Sequence, residues 1–342
     1  MANQCEQLVR LLCEEGCAVQ LVRTNPPYRP AWIGQLPVVR AGFRLVPYLR
    51  ALWRASGQAG VMHLFANSGW SWHLFASPAI LVAQIRKTPV IVNYRGGQAD
   101  SFLARAPRHV RSLLGAAALR VTPSPFLERV FARHGLPAEV IPNIIDLTRF
   151  APSPERSFGD APHLVITRNL ESIYDVPTAI RAFKRIRVVF PRARLTIAGS
   201  GPELARLQAL VRALDLQDSV HFAGRIANEA IPALYASADC MLNPSTVDNM
   251  PISILEAFAS GVPVVSTSAG GIPDIVTHGV SGLLVPVGDE EAMAREALRV
   301  LRDRHLAEGL RNVGLQQAAR YAWPTVREQW LGAYRRAAAI GS

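Results

Sequence analysis

The sequence predicts an α/β protein with two doubly wound, Rossmann-like domains, and three observations carry that expectation. At 342 residues the chain exceeds what one ordinary core fills and suits two domains of roughly 150–180 residues. Short β-rich apolar runs alternate with helical patterns along both halves, as parallel strands joined by crossover helices require. Between the halves, 151–162 (APSPERSFGDAP) is rich in Pro, Ser and Gly without periodicity and reads as a linker. The expected division is 1–150, then 151–322, then a closing helix at 323–342 that packs back on the first domain.

In the first half, residues 3–15 mix charged and apolar residues at helical spacing, and 18–22, 61–65, 89–94, 120–122 and 138–141 read as strands. In the second, the order is strand 163–167, helix 176–189, strand 194–198, helix 202–214 and strand 220–222. It continues with strand 240–242, helix 252–260 and strands 263–266 and 282–285, and the last fifty residues are helical.

The apolar fraction of 49% excludes disorder, and no apolar run approaches the ~18 residues that span a bilayer. The first fifteen residues lack the basic start, apolar run and cleavage site of a secretory signal. A soluble cytoplasmic protein is expected. The four cysteines, Cys5, Cys13, Cys17 and Cys240, have no zinc-site spacing and read as free thiols. The net charge of +11 is uneven: residues 1–160 hold 18 Lys and Arg against 9 acids, residues 161–342 hold 19 against 17. A basic first half suits an anionic partner such as a membrane surface, a lipid phosphate or a nucleic acid. Only Lys87 and Lys184 are lysines, an arginine bias that genome composition also produces.

Ala198-Gly199-Ser200-Gly201-Pro202 ends a strand and opens a helix, with glycines for close approach and proline for the first helical position. Such a helix start receives phosphate, although a plain strand-to-helix turn uses the same residues. From Ile226 to Ala294 there is no Lys or Arg. Asp248 and Glu256 bracket Asn249-Met250-Pro251-Ile252-Ser253-Ile254-Leu255, and Glu256 lies among Ile, Leu, Ala and Phe. A carboxylate there is costly without a hydrogen-bond partner, and ligand hydroxyls are candidates. Pro251 suits the first turn of that helix, whose free N–H groups then face what Asp248 faces. The competing reading makes Asp248 a simple cap and Glu256 a surface residue.

The run Asn243-Pro244-Ser245 through Asp248-Asn249-Met250-Pro251 to Leu255-Glu256-Ala257, followed by Gly261-Val262-Pro263 and Gly270-Gly271-Ile272-Pro273-Asp274, resembles glycosyltransferase family 4. Arg168 after a strand, the Gly199–Pro202 turn, Phe222-Ala223-Gly224, Pro142-Asn143-Ile144-Ile145-Asp146 and the stretch from Trp323 to Tyr334 extend the similarity over nearly the whole chain. The resemblance implies a GT-B fold, two domains facing a cleft, and sugar transfer with retention from a nucleotide-diphosphate sugar to an unidentified glycan, lipid-linked or small-molecule acceptor. It assigns donor ribose to Glu256, sugar hydroxyls to Asp248, and the diphosphate to Arg168, with Gly199, Gly201, Asn249, Met250 and Pro251 around the donor; Arg225 is a further candidate helper for the diphosphate. No Asp-X-Asp motif occurs, so neither metal nor cofactor is expected beyond the sugar nucleotide.

The chain departs from the family pattern in three places. Asp248 stands where the family usually has Glu, Tyr174 where it has a diphosphate lysine, and Arg95 where it has a histidine. Arg95 and His73 are candidates on the acceptor side, while structural roles for Arg95, His63 and His73 compete. The resemblance also places a first strand and a glycine-rich loop ahead of the first helix. Here 3–15 is already that helix and 18–22 the second strand, so an upstream in-frame start is expected. Arg40, Arg44, Arg50 and Arg54 share one face of 38–54, which suits an anionic membrane and a peripheral position on the inner face of the cell membrane. A solvated helix face reads the same way. The rival functional reading is a non-catalytic nucleotide-sugar-binding or membrane-surface protein. Nucleic acid is disfavoured because basic and aromatic residues do not interleave.

Overall fold

The computed structural model describes residues 2–24, 39–150, 152 and 159–341; most of the linker 151–162 and the side chains of Arg40 and Arg44 lie outside the described residues. The chain divides into two compact units, Met1–Pro142 with Val326–Ser342, and Asn143–Thr325. The boundary therefore falls earlier than the expected 150/151. Residues 143–150 join the second unit because their side chains complete its core. Ile145 and Phe150 are buried there, and Asn143 Nδ2 donates to the Met250 carbonyl at 2.9 Å.

The first unit comprises α1 (Ala2–Glu14), α2 (Val39–Ser56), β1 (Met62–Ala66), α3 (Ser77–Ile85), β2 (Val90–Tyr94), α4 (Ala99–Ala104), α5 (Arg108–Gly115), β3 (Leu119–Thr122), α6 (Pro125–Arg133) and β4 (Glu139–Val140). Its strands form one parallel sheet in the order β1-β2-β3-β4. The expected strand at 18–22 is absent from it. A strand exists through its ladder, and the described residues supply none for this segment; Val19 and Leu21 are exposed.

Alternation along the strands sorts side chains to two faces. Val90, Val92 and Tyr94 pack under Ile80, Leu103, Leu114, Leu127 and Phe131. His63 and Phe65 of β1 belong to the opposite set: the His63 ring stacks on Phe65 and lies 4.7 Å from Trp330 of the C-terminal helix. Asn93 Nδ2 donates to His63 Nε2 at 3.1 Å, so Nδ1 carries the proton and donates to the Tyr334 hydroxyl at 2.6 Å. Burial, with Arg95 adding to it, lowers the His63 pKa to about 3, and the ring is neutral.

The second unit comprises β5 (His163–Thr167), α7 (Val176–Val189), β6 (Arg194–Ala198), α8 (Leu204–Ala213), β7 (Val220–Gly224), α9 (Ile231–Ala236), β8 (Cys240–Asn243), α10 (Ile252–Ala259), β9 (Val264–Thr267), β10 (Leu283–Val285), α11 (Glu290–Arg302) and α12 (Arg304–Ala319). The closing helix α13 (Trp323–Gly341) begins here and continues into the first unit. All six strands are parallel, in the order β10-β9-β8-β5-β6-β7. Leu164, Ile166, Cys240 and Leu242 face α7, α8 and α11, whereas Val165 and Met241 face α9 and α10. Both faces are covered, as a doubly wound sheet requires. Among the described residues no helix is long and apolar enough to cross a membrane.

A neutral His63 makes the first unit acid-sensitive in a defined window. Its folded pKa lies below the unfolded value of 6.5, so protons bind the unfolded chain preferentially as pH falls from 6.5 towards 3. Stability is lost across that window by a few kcal/mol, on the order of 1.4 kcal/mol per unit of separation. Urea titrations of the protein and of His63→Gln from pH 7 to 4 should show the shallower slope in the variant; equal slopes would assign the loss to other groups.

Candidate active site

Strand order reverses between β5 and β8: successive strands run outward from β5 through β6 to β7, and from β8 through β9 to β10. The loops leaving the carboxyl ends of these two neighbours diverge, which opens a crevice at a topological switch point. Arg168 follows β5 directly. Asp248 lies in the loop between β8 and α10, and Glu256 lies on α10.

Arg168 Nη2 forms an ion pair with Asp248 Oδ2, and its Nη1 donates to Ser253 Oγ at 3.3 Å. The guanidinium carbon lies 4.0 Å from the centre of the Tyr174 ring, a cation–π contact worth roughly 0.5–2 kcal/mol. Both charged side chains are only 10–12% exposed. Burial raises the Asp248 pKa, opposed by Arg168 and by the Asn249 N–H, which donates to Oδ1 at 2.9 Å. Arg168 Nε is buried and has no hydrogen-bond partner. The absence of Lys and Arg from Ile226 to Ala294 is thus not an absence in space: Asp248 takes its cation from β5, eighty residues earlier. Asp248 is not a helix cap. Pro251 occupies the cap position of α10 in extended conformation, and the helix starts at Ile252, so Pro251 precedes the first turn.

Glu256 has a different partner. The hydroxyl of Tyr235, a fully buried residue, lies 3.3 Å from Glu256 Oε2, 2.9 Å from the Ser253 carbonyl and 2.5 Å from Thr167 Oγ1. Burial raises the Glu256 pKa to about 7, with Tyr235, Arg149 and Arg168 opposing it. The carboxyl therefore titrates near neutrality. Sequence reasoning missed Tyr235; the available signal was a tyrosine in the apolar helix run Ile-Pro-Ala-Leu-Tyr-Ala, since a buried phenol needs a hydrogen-bond partner.

Glycines set the loop positions. A Cβ on Gly199, at φ +157°, would stand 1.9 Å from the Arg168 carbonyl oxygen, and one on Gly270, at φ +55°, 2.1 Å from the Asp248 carbonyl oxygen. A Cβ on Gly201 would stand 2.3 Å from the Leu170 carbonyl oxygen, and Leu170 N donates to the Ser200 carbonyl at 3.0 Å. The 199–202 turn thus braces the Arg168 loop. Helix α8 begins only at Leu204, so Pro202 lies in the turn ahead of it and not at the first helical position. Thr246 N and Oγ1 both donate to the Ile173 carbonyl, at 2.8 and 2.9 Å, tying the Tyr174 segment to the Asp248 loop.

Asn249 and Met250 are buried beside Asp248, Met250 contributing its side chain to the core. Arg225 follows β7, is exposed and makes no described contact with Arg168, Asp248 or Glu256. Arg95 and His73 belong to the first unit. The Arg95 guanidinium lies 5.3 Å from the Phe65 ring, and burial lowers its pKa to about 10. His73 sits among Trp70, Phe102 and His109. Among the described residues no group of three or more His, Cys, Asp and Glu could hold a metal ion.

Two parallel-sheet Rossmann-like units define the GT-B fold of glycosyltransferases. Residues 150–317 match the family described as Glycosyl transferases group 1. Over 95% of this chain and 88% of the other, the fold superimposes with a TM-score of 0.72 on Anabaena HepE in complex with UDP, at 20% identity. Among sequence relatives, an exopolysaccharide phosphotransferase of Streptomyces coelicolor is 31% identical over 74% of this chain and 27% of its own length. A GDP-mannose-dependent alpha-(1-6)-phosphatidylinositol monomannoside mannosyltransferase of Mycolicibacterium smegmatis is 27% identical over 91% of this chain and 90% of its own. The chain spans about half or less of the length of several other curated relatives that it matches.

Tyr235→Phe tests the second cluster. Because Glu256 has a folded pKa above its ordinary 4.5, it lowers stability as pH rises from 4.5 to about 7. Removing the hydroxyl removes a bond that holds this pKa down, so the decline should extend above pH 7, on top of about 1–3 kcal/mol for stranded buried acceptors. Glu256→Gln should abolish that part of the decline. Chemical denaturation between pH 5 and 9 reads both effects, and an unaltered profile in Tyr235→Phe would show that the hydroxyl does not govern Glu256.

Proposed function

We propose that this chain transfers a sugar, with retention of anomeric configuration, from a nucleotide-diphosphate sugar held by the second unit to a glycan, lipid-linked or small-molecule acceptor. The observation that carries this reading is the juxtaposition of one buried cation, Arg168, and two buried carboxyls, Asp248 and Glu256, at the β5/β8 switch point. The family match of residues 150–317 and the similarity to a mannosyltransferase over 91% of this chain support it.

In this reading the Glu256 carboxylate accepts hydrogen bonds from the ribose hydroxyls, and its ionised form predominates above pH 7. The donor diphosphate takes the Arg168 guanidinium, including the unpartnered Nε–H, and thereby releases Asp248 to accept hydrogen bonds from the sugar. As the anomeric C–O bond breaks, its electron pair passes to the diphosphate oxygen, whose growing charge Arg168 stabilises. The acceptor hydroxyl bonds to the same face of the anomeric carbon and yields its proton to the departing diphosphate. Backbone N–H groups of Asn249 and Met250 and of the 199–201 turn complete the phosphate and sugar contacts. The charge of the leaving group is met without a metal or cofactor, and the cytoplasm is the assigned compartment. Tyr174 in place of a lysine is the observation that favours the rival, a nucleotide-sugar-binding protein without transfer.

Glu256→Ala should weaken binding of UDP or GDP as well as of the parent sugar nucleotide by about 1.5–3 kcal/mol, the worth of a charged hydrogen bond. Asp248→Ala should weaken the sugar nucleotide alone, and Arg168→Gln should lower turnover more than Arg225→Gln. Calorimetric titration followed by transfer assays separates these cases. Unchanged nucleotide affinity in folded Glu256→Ala would overturn the site assignment, and donor binding without transfer or hydrolysis would establish the rival.

A further inference from the structure

Between Glu15 and Asp100 the chain contains no aspartate or glutamate, yet nine lysines and arginines fall there. Helices α2 and α3 lie within that stretch and pack side by side. The Tyr48 hydroxyl donates to the Phe75 carbonyl at 3.0 Å, just ahead of α3, and Thr88 Oγ1 donates to the Ser56 carbonyl at 2.7 Å, just beyond it. The Arg86 guanidinium lies 5.1 Å from the Trp53 ring. Tyr48 and Leu52 form the inner face of α2. Its outer face carries Val46, Arg50, Trp53 and Arg54, at i, i+4, i+7 and i+8. Val46, Trp53, Leu81 and Ile85 are 45–67% exposed. Arg50, Arg54, Arg86 and Lys87 are exposed beside them, and none of the four has an ion-pair partner among the described residues.

We infer that the α2–α3 face of the first unit docks on an anionic lipid bilayer. Trp53, Leu81 and Ile85 enter the interface between headgroups and acyl chains, while Arg50, Arg54, Arg86 and Lys87 meet headgroup phosphates. Three considerations select this occupant. Side chains of Leu and Ile that are about half or more in water lose unfavourable hydration only against an apolar phase, which nucleic acid phosphates do not offer. A second copy of the same face would set four unpaired cations against four more, with no carboxylate in the stretch to answer them. A bilayer of acidic lipid supplies both the apolar phase and the anions, and tryptophan favours that boundary.

The test uses the full chain and sedimentation with vesicles of phosphatidylcholine alone or mixed with phosphatidylglycerol. The protein should bind the acidic vesicles selectively, and added salt should weaken binding. Arg50→Gln with Arg54→Gln should lower affinity about fivefold per cation removed. Leu81→Ser with Ile85→Ser should lower it tenfold or more, with the thermal midpoint held. Arg192→Gln with Arg194→Gln, exposed on the second unit, should leave binding unchanged. Equal binding to both vesicle types, or an equal loss in the Arg192 and Arg194 variant, would overturn the inference, because diffuse net charge or general stickiness would then suffice. Binding to a structured RNA that falls with the arginine variant but not with the Leu81 and Ile85 variant would replace the bilayer with nucleic acid. Self-association abolished by the Leu81 and Ile85 variant, without vesicle binding, would replace it with a second copy.

Discussion

The Arg168–Asp248 ion pair stands where removing two charges from water costs several kcal/mol per ion, and attraction alone offsets this only with good geometry and further hydrogen bonds. The bonds come from Ser253 on α10 and the Asn249 N–H on the β8–α10 loop, and the Tyr174 ring ahead of α7 adds a cation–π contact. Each must be held within a few tenths of an ångström. Gly199 and Gly270 let the neighbouring turns press on the carbonyls of Arg168 and Asp248 themselves, and Thr246 fastens the Tyr174 segment to the same loop. Much of the loop architecture at this end of the sheet is thus fixed by one buried pair. Such a pair adds little net stability of its own.

Tyr235 links that pair to the second carboxyl. Its hydroxyl touches Thr167, the residue before Arg168, and the carbonyl of Ser253, whose side chain Arg168 also contacts, as well as Glu256 itself. One phenol has a single proton, so it cannot donate fully to both the Ser253 carbonyl and an ionised Glu256. A change in the protonation of Glu256 therefore alters which partner the phenol serves. This gives a physical route by which protonation of Glu256 is felt beside Arg168 without any motion of the sheet.

The second unit was largely legible because its strands are buried on both faces and read as unbroken apolar runs, and because Asp248 and Glu256 stand out against an otherwise uncharged background. What local sequence hid was partnership across distance. The eighty residues between Arg168 and Asp248 conceal their contact, and Tyr235 reads as one more core aromatic until its hydroxyl is followed. Residues 18–22 failed for the complementary reason: their β-branched and apolar composition describes a strand, but the ladder depends on a neighbour that composition cannot specify. The domain boundary slipped because Pro, Ser and Gly mark where chain is irregular, whereas Ile145 and Phe150 decide where the core ends.

Charge is segregated twice along this chain. The stretch after Glu15 lacks acids until Asp100, and the stretch from Ile226 to Ala294 lacks lysine and arginine. The second segregation bears directly on the site. Had a lysine or arginine lain one helical turn from Glu256, the carboxylate would be permanently paired and its pKa held near or below the ordinary value. Without one, burial raises the pKa to about 7. A segment free of lysine and arginine and the arginine that follows β5 therefore act together. The first leaves Arg149 and Arg168, both from outside 226–294, as the cations that oppose the raised Glu256 pKa, and the second places one of them against Asp248.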